Sequence, residues 1–321
     1  MKEYKRLTKE ECADRLLSLS EPLIICHARP DGDTVATAKA LSLILAMLGK
    51  RARIACADRL PDRLAFILGG EDFTEDLHSG DAVTVDVASP SQMGALYGVR
   101  PDVRLAIDHH AVSTPFADNY TAEGASSAAE ALMDVLDVLT ERGLITPTKE
   151  LAEALYTAIS SDTGCFSFAN ATARTHTRAA ALLSYGIDSA GINHKLFYTK
   201  SRGQIRAEGF VGSSLCTACG GRVAYATVTD ADIEKLSLSR EDFETAVDVV
   251  RSLRGCEVAF VVKEVGESTY KISLRSTGPN VAAIAARFGG GGHILAAGCS
   301  VTAERAEDAA KIILEELKAI Y

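Results

Sequence analysis

The sequence predicts an α/β fold: an N-terminal, mostly parallel sheet flanked by helices, with a smaller C-terminal α/β domain across a cleft. In residues 1–190, short apolar runs alternate with helical patterns, as they do in βαβ units. The apolar runs are nearly continuous, which is typical of strands covered on both faces. A length of 321 residues favours two domains, each able to bury its own core.

The elements of the first domain follow from these patterns in chain order. The predicted strands are the apolar runs at 22–26, 52–56, 82–86 and 103–107. Helical periodicity predicts helices at 33–48, 127–142, 149–161 and 173–185, the first with Asp33 as its N-cap. The mixed stretch after Gly186 is interpreted as a partly helical linker. The predicted boundaries are therefore a domain at 1–187, a linker at 188–215 and a domain at 216–321.

The second domain combines strands and helices in a different order. Its predicted elements are a strand at 222–228, a helix at 240–252, strands at 256–264 and 269–275, and helices at 280–288 and 303–320. A glycine-rich loop precedes the last helix. Cys216 and Cys219 form a single pair without a second pair at zinc-site spacing, so a structural role is favoured and their function stays open.

Composition indicates a soluble cytoplasmic protein. Apolar residues make up 47% and charged residues 24%, as in globular proteins. The charged N-terminus is not typical of a signal peptide, and no apolar run approaches the roughly 20 residues of a membrane span. The scattered cysteines fit a reducing compartment. A net charge of −9 argues against a protein that coats long nucleic acids.

One segment, 174–206, is basic. It contains six arginines and lysines and a single acid, Asp188. It is interpreted either as a solvated helix face or as a basic wall beside an anion site, and its position between the two predicted domains favours the wall.

Metal-ligand side chains follow several predicted elements. Three come directly after the first strand, and others follow the third strand, the fourth strand and a helix; they are His27, Asp31, Asp33, Asp86, Asp108, His109, His110 and Asp162. Since parallel strands end at one edge of a sheet, these side chains should converge. Carboxylates packed closely repel one another and need cations, and a mixed oxygen and imidazole set suits manganese or another divalent ion. The first group alone could be a Pro-Asp-Gly turn whose carboxylates only cap a helix.

In their order, these motifs resemble those of the DHH phosphoesterase family. The matching stretches are His27-x-x-Pro-Asp31-Gly-Asp33, Asp86, Asp108-His109-His110 and Asp162-Thr-Gly-x-Phe166, with Ser167-Phe168-Ala169-Asn170 extending the last. Ser273-Leu274-Arg275-Ser276 and the stretch from Phe288 to Gly298 resemble the DHH-associated C-terminal domain. The resemblance covers nearly the whole chain and points to the compact two-domain nano-RNases, or oligoribonuclease and pAp phosphatases, of the RecJ-like branch.

This resemblance implies a role for each motif residue in the first domain. His27, Asp31 and Asp86 would hold one metal ion, and Asp33, Asp86, His109 and Asp162 a second, with Asp86 bridging the two. Asp108 would orient a histidine, and His110 would place the phosphate or protonate the leaving oxygen. The implied cofactors are two divalent ions, with manganese expected.

The second domain would bind the substrate. The glycine run could form an anion-binding nest, Arg275 offers a planar fork for a phosphate, and a short helix after the run would add a partial positive charge. The expected substrate-binding residues are Arg275, Gly290, Gly291, Gly292 and His293. The alternative is a flexible loop with no ligand.

The expected activity is hydrolysis of short RNA or DNA oligonucleotides and dinucleotides to mononucleotides, and of the 3′-phosphate of a nucleotide bisphosphate such as adenosine bisphosphate. A pyrophosphatase or polyphosphatase, and a non-catalytic nucleotide-binding protein, are the alternatives. No membrane partner is expected, and a homodimer stays open. The sequence does not fix substrate length, attack polarity or the metal used.

Overall fold

The computed structural model of the protein describes residues 4–321 and divides into two compact units, Met1–Thr199 and Lys200–Tyr321. The boundaries predicted from the sequence, at 1–187, 188–215 and 216–321, stay predictions. Within the described residues, no helix is both long enough and apolar enough to cross a membrane.

The first unit is built on a five-stranded parallel sheet with the strand order β2-β1-β3-β4-β5. The strands are β1 (Leu23–Ile25), β2 (Arg53–Ala55), β3 (Ala82–Val85), β4 (Leu105–Asp108) and β5 (Asn119–Thr121). The predicted α/β class with a parallel N-terminal sheet is confirmed. Strand β5 was not predicted, because its Asn-Tyr-Thr sequence carries no apolar run.

Within the described residues, the α-helices of the first unit are α1 (Lys9–Ser18), α2 (Gly32–Met47), α3 (Leu96–Val99), α4 (Ala128–Glu141), α5 (Lys149–Asp162), α6 (Ala173–Leu183) and α7 (Ser189–Asn193). Short 3-10 helices lie at Asp62–Leu68 and Pro90–Met93, and a π-helix lies at His194–Tyr198. The prediction of Asp33 as the N-cap of α2 was wrong. Asp31 is the cap, because its carboxylate accepts from the backbone N–H of Asp33 at 3.0 Å and of Thr34 at 3.2 Å.

Both faces of the central strands are buried, as their apolar sequences predict. Ile24 and Val83 pack in one layer with residues of α2, α4 and α5. Leu23 and Ala82 point the other way and pack in a second layer with Phe116. Alternate side chains therefore serve both layers, and the polar residues after each strand emerge together at the carboxyl edge of the sheet.

A six-stranded mixed sheet forms the second unit, with the order β10-β11-β9-β8-β7-β6, in which only β7 and β8 pair in parallel. Its strands are β6 (Cys216–Ala218), β7 (Val223–Val228), β8 (Val258–Gly266), β9 (Thr269–Ser276), β10 (Gly291–His293) and β11 (Ala296–Thr302). Its helices are α8 (Arg202–Ser213), α9 (Asp230–Leu236), α10 (Ala246–Arg251), α11 (Val281–Arg287) and α12 (Ala306–Lys318). Residues of α11 and α12 pack on one face of the sheet, and residues of α8 and α10 on the other.

Two predictions for the second unit were wrong, and one helix was missed. The helix expected at 240–252 is interrupted, because the backbone at Thr245 (φ −92°, ψ 9°) separates a 3-10 helix at Glu241–Phe243 from α10. Helix α9 was not predicted at all. The glycine-rich stretch is not a loop followed by a helix: it contains strand β10, which forms an antiparallel hairpin with β11.

Candidate functional site

The predicted metal ligands of the first unit come together at the carboxyl edge of its sheet. Strands β1, β3 and β4 are neighbours there. His27 follows β1, Asp86 follows β3, and His109 follows β4. The remaining carboxylates come from helix ends: Asp31 caps α2, Asp33 lies in its first turn, and Asp162 is the last residue of α5.

Gly32 explains how two of these helix ends come so close. A Cβ atom at this position would overlap Oγ of Ser161 and lie 2.7 Å from its Cβ. Ser161 directly precedes Asp162 at the end of α5. The glycine between Asp31 and Asp33 therefore gives α5 the space to bring Asp162 beside the start of α2.

A first group of ligands consists of His27, Asp31 and Asp86. The Nε2 atom of His27 lies 3.3 Å from Oδ2 of Asp86 and 3.6 Å from Oδ1 of Asp31. One ligand atom from each residue lies within 4.8 Å of the others, which is close enough for a single ion to contact all three.

The second group consists of Asp33, His109 and Asp162. The Nε2 atom of His109 lies 3.8 Å from Oδ2 of Asp33 and 3.9 Å from Oδ2 of Asp162. The same nitrogen lies 3.4 Å from Oδ1 of Asp86. Asp86 thus directs one oxygen to each group, which is the arrangement that a bridging carboxylate requires.

Burial and crowding shift the pKa values of these residues strongly. Burial raises the pKa of Asp162 to about 7 and that of Asp33 well above its usual range, and in both cases Asp86 reinforces the shift. Burial opposes the charge of His27, but Asp31 and Asp86 outweigh it and raise the pKa of His27 to about 11. Carboxylates in so small a buried volume favour bound cations, whether protons or metal ions.

The donor set fits two divalent metal ions. The Oδ1 atom of Asp86 is buried and, within residues 4–321, has no hydrogen-bond partner. A buried carboxylate oxygen without a partner is costly, and metal ligation would satisfy it. Carboxylate oxygens with imidazole nitrogens are ligands for divalent ions of intermediate softness.

Asp108 and His110 form a pair beside these groups. The Nδ1 atom of His110 lies 2.7 Å from Oδ1 of Asp108 and 3.7 Å from Oδ1 of Asp86. Burial opposes protonation of His110, but the contact with Asp108 raises its pKa above the usual value. The structure thus brings His110 close to the cluster, where it also falls within ligand distance of Asp86 and His109. Its place outside the coordination sphere stays a prediction.

In the second unit, Arg275 and His293 lie in one row of the sheet. Arg275 in β9 is paired with Ala296 in β11, which is paired with His293 in β10. Directly paired residues point to the same face, so the two basic side chains flank Ala296 about 10 Å apart. Burial lowers the pKa of Arg275. Within residues 4–321, no carboxylate forms an ion pair with its guanidinium, although its Nη1 donates to the carbonyl of Leu274 at 2.9 Å.

The glycines of this hairpin differ in what the fold requires of them. A Cβ at Gly290 would lie 2.6 Å from Cβ of Cys299, and one at Gly292 would lie 2.7 Å from Cα of Ala297, so both positions need glycine for packing. A Cβ added at Gly291 would have no atom of residues 4–321 within 4 Å, apart from its chain neighbours. Packing therefore explains part of the glycine run and leaves Gly291 without a structural reason.

The interpretation of 174–206 as a basic wall is corrected in part. Arg174 and Arg178 both pair with Asp134, with nitrogen–oxygen distances of 2.8 and 2.7 Å. Arg174 also pairs with the buried Glu130 at 2.9 Å. These two arginines therefore tie α6 to α4 and are committed to the fold.

Sequence reasoning missed the groups that hold the ligands in place. Thr37 and the backbone N–H of Ala128 contact Asp33, and Asn170 contacts Asp162. Asn170 was noted only as part of an extended motif. Ser127 followed by Glu130 is a sequence signal for the start of a helix at Ala128. The first N–H groups of a helix are free to bind an acceptor, so this signal is consistent with the contact between Ala128 and Asp33.

Comparison with known proteins matches both units to described families. Residues 22–159 match the DHH family, N-terminal domain, and residues 220–319 match the DHHA1 domain. The sequence is 30% identical to the bifunctional oligoribonuclease and PAP phosphatase NrnA of Thermus thermophilus, over 95% of this chain and 92% of that protein. The protein of the same name in Bacillus subtilis is 26% identical over 89% of this chain and 91% of that protein.

A solved structure is also similar. The crystal structure of an exopolyphosphatase-related protein from Bacteroides fragilis superposes with a TM-score of 0.87 at 25% identity, covering 97% of this chain and 96% of that chain. The similarity therefore extends over both units and the elements that carry the predicted ligands.

Proposed function

We propose that this chain, which belongs to the DHH family, is a metal-dependent phosphoesterase that cleaves short oligonucleotides and dinucleotides to mononucleotides and removes the 3′-phosphate of adenosine bisphosphate. The names of its relatives in Thermus thermophilus and Bacillus subtilis, which are oligoribonucleases and PAP phosphatases, support this assignment. Manganese is the metal we propose, because the donor set mixes carboxylate oxygen with imidazole nitrogen.

The observation that carries the proposal is the position of Asp86 between two ligand groups. Its two oxygens lie 3.3 Å from Nε2 of His27 and 3.4 Å from Nε2 of His109. When bound, two divalent ions lower the pKa of water and stabilise the charge on phosphate oxygens during displacement at phosphorus. We assign His27, Asp31 and Asp86 to one ion, and Asp33, Asp86, His109 and Asp162 to the other.

His110 is proposed to act on the phosphate itself. Its Nδ1 is held by Asp108, which fixes the ring orientation and favours the protonated form. A protonated imidazole next to the cluster can donate to a phosphate oxygen or deliver a proton to the leaving oxygen.

The second unit is proposed to bind the remainder of the substrate. Arg275 is half-buried and has no carboxylate partner among residues 4–321, which is costly unless an anion binds. A phosphate can accept two parallel hydrogen bonds from its guanidinium. His293 lies in the same row, and the bare backbone of Gly291 allows a ligand to approach closely. Gly290 and Gly292 shape the hairpin that presents these groups.

A turnover panel tests the assignment. The purified protein, stripped of metal and reconstituted with manganese or magnesium, is assayed on pAp, pApA, pGpG, cyclic di-AMP, a 5-mer RNA and pyrophosphate. We expect turnover of pAp, pApA and pGpG, dependent on added metal. No metal-dependent release of phosphate or mononucleotide from any nucleotide would overturn the proposal.

Polyphosphate hydrolysis is the second candidate. It is favoured by one observation, the similarity to a Bacteroides fragilis protein described as exopolyphosphatase-related. Adding polyphosphate to the same panel separates the two activities, because a polyphosphatase should release phosphate from it faster than from pAp.

A further inference from the structure

Asp33 is held by two parts of the chain that lie far apart in sequence. The residue is 1% exposed. Its Oδ1 accepts a hydrogen bond from Oγ1 of Thr37 at 2.9 Å, one turn further along α2. Its Oδ2 accepts from the backbone N–H of Ala128 at 2.8 Å, at the first residue of α4. The orientation of this carboxylate is therefore fixed from both sides.

Asp162 is tied to the same end of α4 by Asn170. The Nδ2 atom of Asn170 lies 3.1 Å from the backbone carbonyl of Asp162 and 3.3 Å from its Oδ2. It also lies 3.1 Å from the carbonyl oxygen of Ser126. Both carboxylates of the second group are thus anchored to residues 126–128.

This anchor is itself held by hydrogen bonds and an ion pair. Ser127 caps α4, accepting from the backbone N–H of Glu130 at 3.3 Å. The buried Glu130 accepts from Oγ of Ser126 at 2.7 Å and pairs with Arg174 at 2.9 Å. Arg174 lies four residues after Asn170. The segment that contains both residues is therefore joined to the start of α4 at two points, through the contact of Asn170 with Ser126 and through that of Arg174 with Glu130.

The first ligand group does not use this anchor. Within residues 4–321, no hydrogen bond or ion pair links His27, Asp31 or Asp86 to Thr37, Asn170 or residues 126–128. Asp31 is held instead by backbone N–H groups at the start of its own helix. The two groups share Asp86, and the N–H of Asp33 contacts Asp31, but only the second group is hydrogen-bonded, within residues 4–321, to the anchor at residues 126–128.

We propose that Thr37, Asn170 and the N-terminus of α4 form a positioning set for the second metal ion alone. The set orients Asp33 and Asp162 so that they present their oxygens at a fixed spacing beside His109, while His27 and Asp31 of the first group have no contact with the set within residues 4–321. This inference rests on the proposed function, because it assumes two metal ions. Groups that orient metal ligands typically contribute about 10- to 100-fold to metal affinity.

Two independent variants test the inference. Thr37→Val keeps the shape of the side chain and removes the donor to Asp33, and Asn170→Ala removes the link between Asp162 and Ser126. Thr37→Ser restores the hydroxyl. Thr157→Val is the matched control, because Thr157 is a buried helical threonine whose hydroxyl donates to the carbonyl of Glu153 and contacts neither ligand group.

Manganese binding to the metal-free proteins is measured by calorimetry and by equilibrium dialysis with manganese quantification. We expect two sites in the wild type, and in Thr37→Val and Asn170→Ala a loss of about 10- to 100-fold at one site, with a clearly smaller loss at the other site, which is coupled to it only through Asp86. Thr37→Ser and Thr157→Val should bind as the wild type does. Thermal unfolding of the metal-free proteins shows that each variant is folded.

The outcomes separate this inference from the proposed function. Two sites that weaken equally, or two sites unchanged in both variants, would overturn the inference and leave the function standing. A wild-type protein that binds two manganese ions without hydrolysing any nucleotide would overturn the function and leave the inference standing. A wild type that binds fewer than two ions would overturn both.

Discussion

The Nδ1 atom of His110 lies 2.7 Å from Oδ1 of Asp108, at the carboxyl edge of the parallel sheet. This contact fixes which ring nitrogen faces the carboxylate and turns Nε2 to the opposite side of the ring. Asp108 is 3% exposed, so water competes little for the contact. An imidazole oriented in this way beside the two ligand groups can serve as a proton donor.

From this contact we predict that His110→Ala lowers turnover more than it lowers metal content. A positioned proton donor contributes about 100-fold or more to rate, whereas a residue outside the coordination sphere contributes little to ion binding. Manganese content per protein and kcat on pApA are measured together. Loss of one ion per protein would show that His110 is a ligand and that its assigned role is wrong.

Arg275→Ala should lower kcat/KM for pApA by about 30-fold, or about 2 kcal/mol, because a charged bidentate contact with a phosphate is lost. For the generic ester bis-p-nitrophenyl phosphate, which lacks a distal nucleotide, kcat/KM should fall far less. Arg287→Ala, which removes an exposed arginine at the end of α11 that pairs with Glu316 of α12, is the control. Equal losses on both substrates would mean that Arg275 supports the fold.

A pair of glycine variants extends the test of this substrate row. Gly291→Ala should fold normally, because no atom lies near the added methyl group, and should lower kcat/KM for pApA. Gly290→Ala should lower the melting temperature, because its methyl group meets Cys299. Full activity in a well-folded Gly291→Ala protein would argue against close approach of the substrate at this glycine.

Gly32→Ala should destabilise the protein by about 1–3 kcal/mol, because the added methyl group overlaps Ser161. It should also weaken metal binding, since relief of the overlap moves Asp162 away from the start of α2. Thermal unfolding and manganese binding are the measurements, and Ser161→Gly in the same chain should restore part of both. Gly98→Ala, where no atom lies within 4 Å, is the control. A Gly32→Ala protein with wild-type stability and metal affinity would contradict this explanation of the glycine.

The lowered pKa of Lys263 leads us to predict that the stability of the protein depends on pH. Burial, reinforced by Lys271, lowers the pKa of this lysine to about 8. Between that value and its ordinary value near 10.5, the unfolded chain binds more protons than the folded one, so the free energy of unfolding rises with pH across this window. Lys263→Met removes the cost of the buried charge and should stabilise the protein at pH 7 by about 1–3 kcal/mol.

The stabilising effect of Lys263→Met should shrink as the pH rises from 8 towards 10.5. The measurement is the free energy of unfolding of both proteins across this pH range at constant ionic strength. Lys311→Met, at a site whose side chain is 70% exposed, serves as the control. An effect independent of pH would mean that the substitution acts through packing and not through the lysine charge.

The sequence predicts those parts of the molecule that depend on side-chain type. Apolar runs predicted the strands β1, β3 and β4, and the carboxylates and histidines after them were expected to lie close together, as they do, because parallel strands end at one edge of a sheet. Contacts made by the backbone were not predictable in this way. The N–H of Ala128 reaches Asp33 across 95 residues of sequence, and an alanine carries no chemical signal of that contact.

The glycine hairpin and the ion pairs of Arg174 could not be predicted from the sequence either. The glycine run was interpreted as a loop, because glycine is rare in strands, yet close packing against β11 requires Gly290 and Gly292 to lack side chains. Arg174 was counted as part of a basic surface, since its partners Glu130 and Asp134 lie some 40 residues away on another helix. Both outcomes depend on tertiary contacts that local patterns do not contain.

The central claim is that Asp86 is the carboxylate shared by two metal ions in a phosphoesterase, and the Asp86→Asn protein tests it most directly. The substitution keeps the shape of the side chain but removes the charge that both ions would share. Manganese-dependent hydrolysis of pApA is measured for this variant and the wild type, with the bound manganese counted in each. We predict a turnover lower by about a thousandfold or more, several kcal/mol of transition-state stabilisation, together with loss of bound manganese. Near-normal manganese-dependent turnover by the variant would contradict the account.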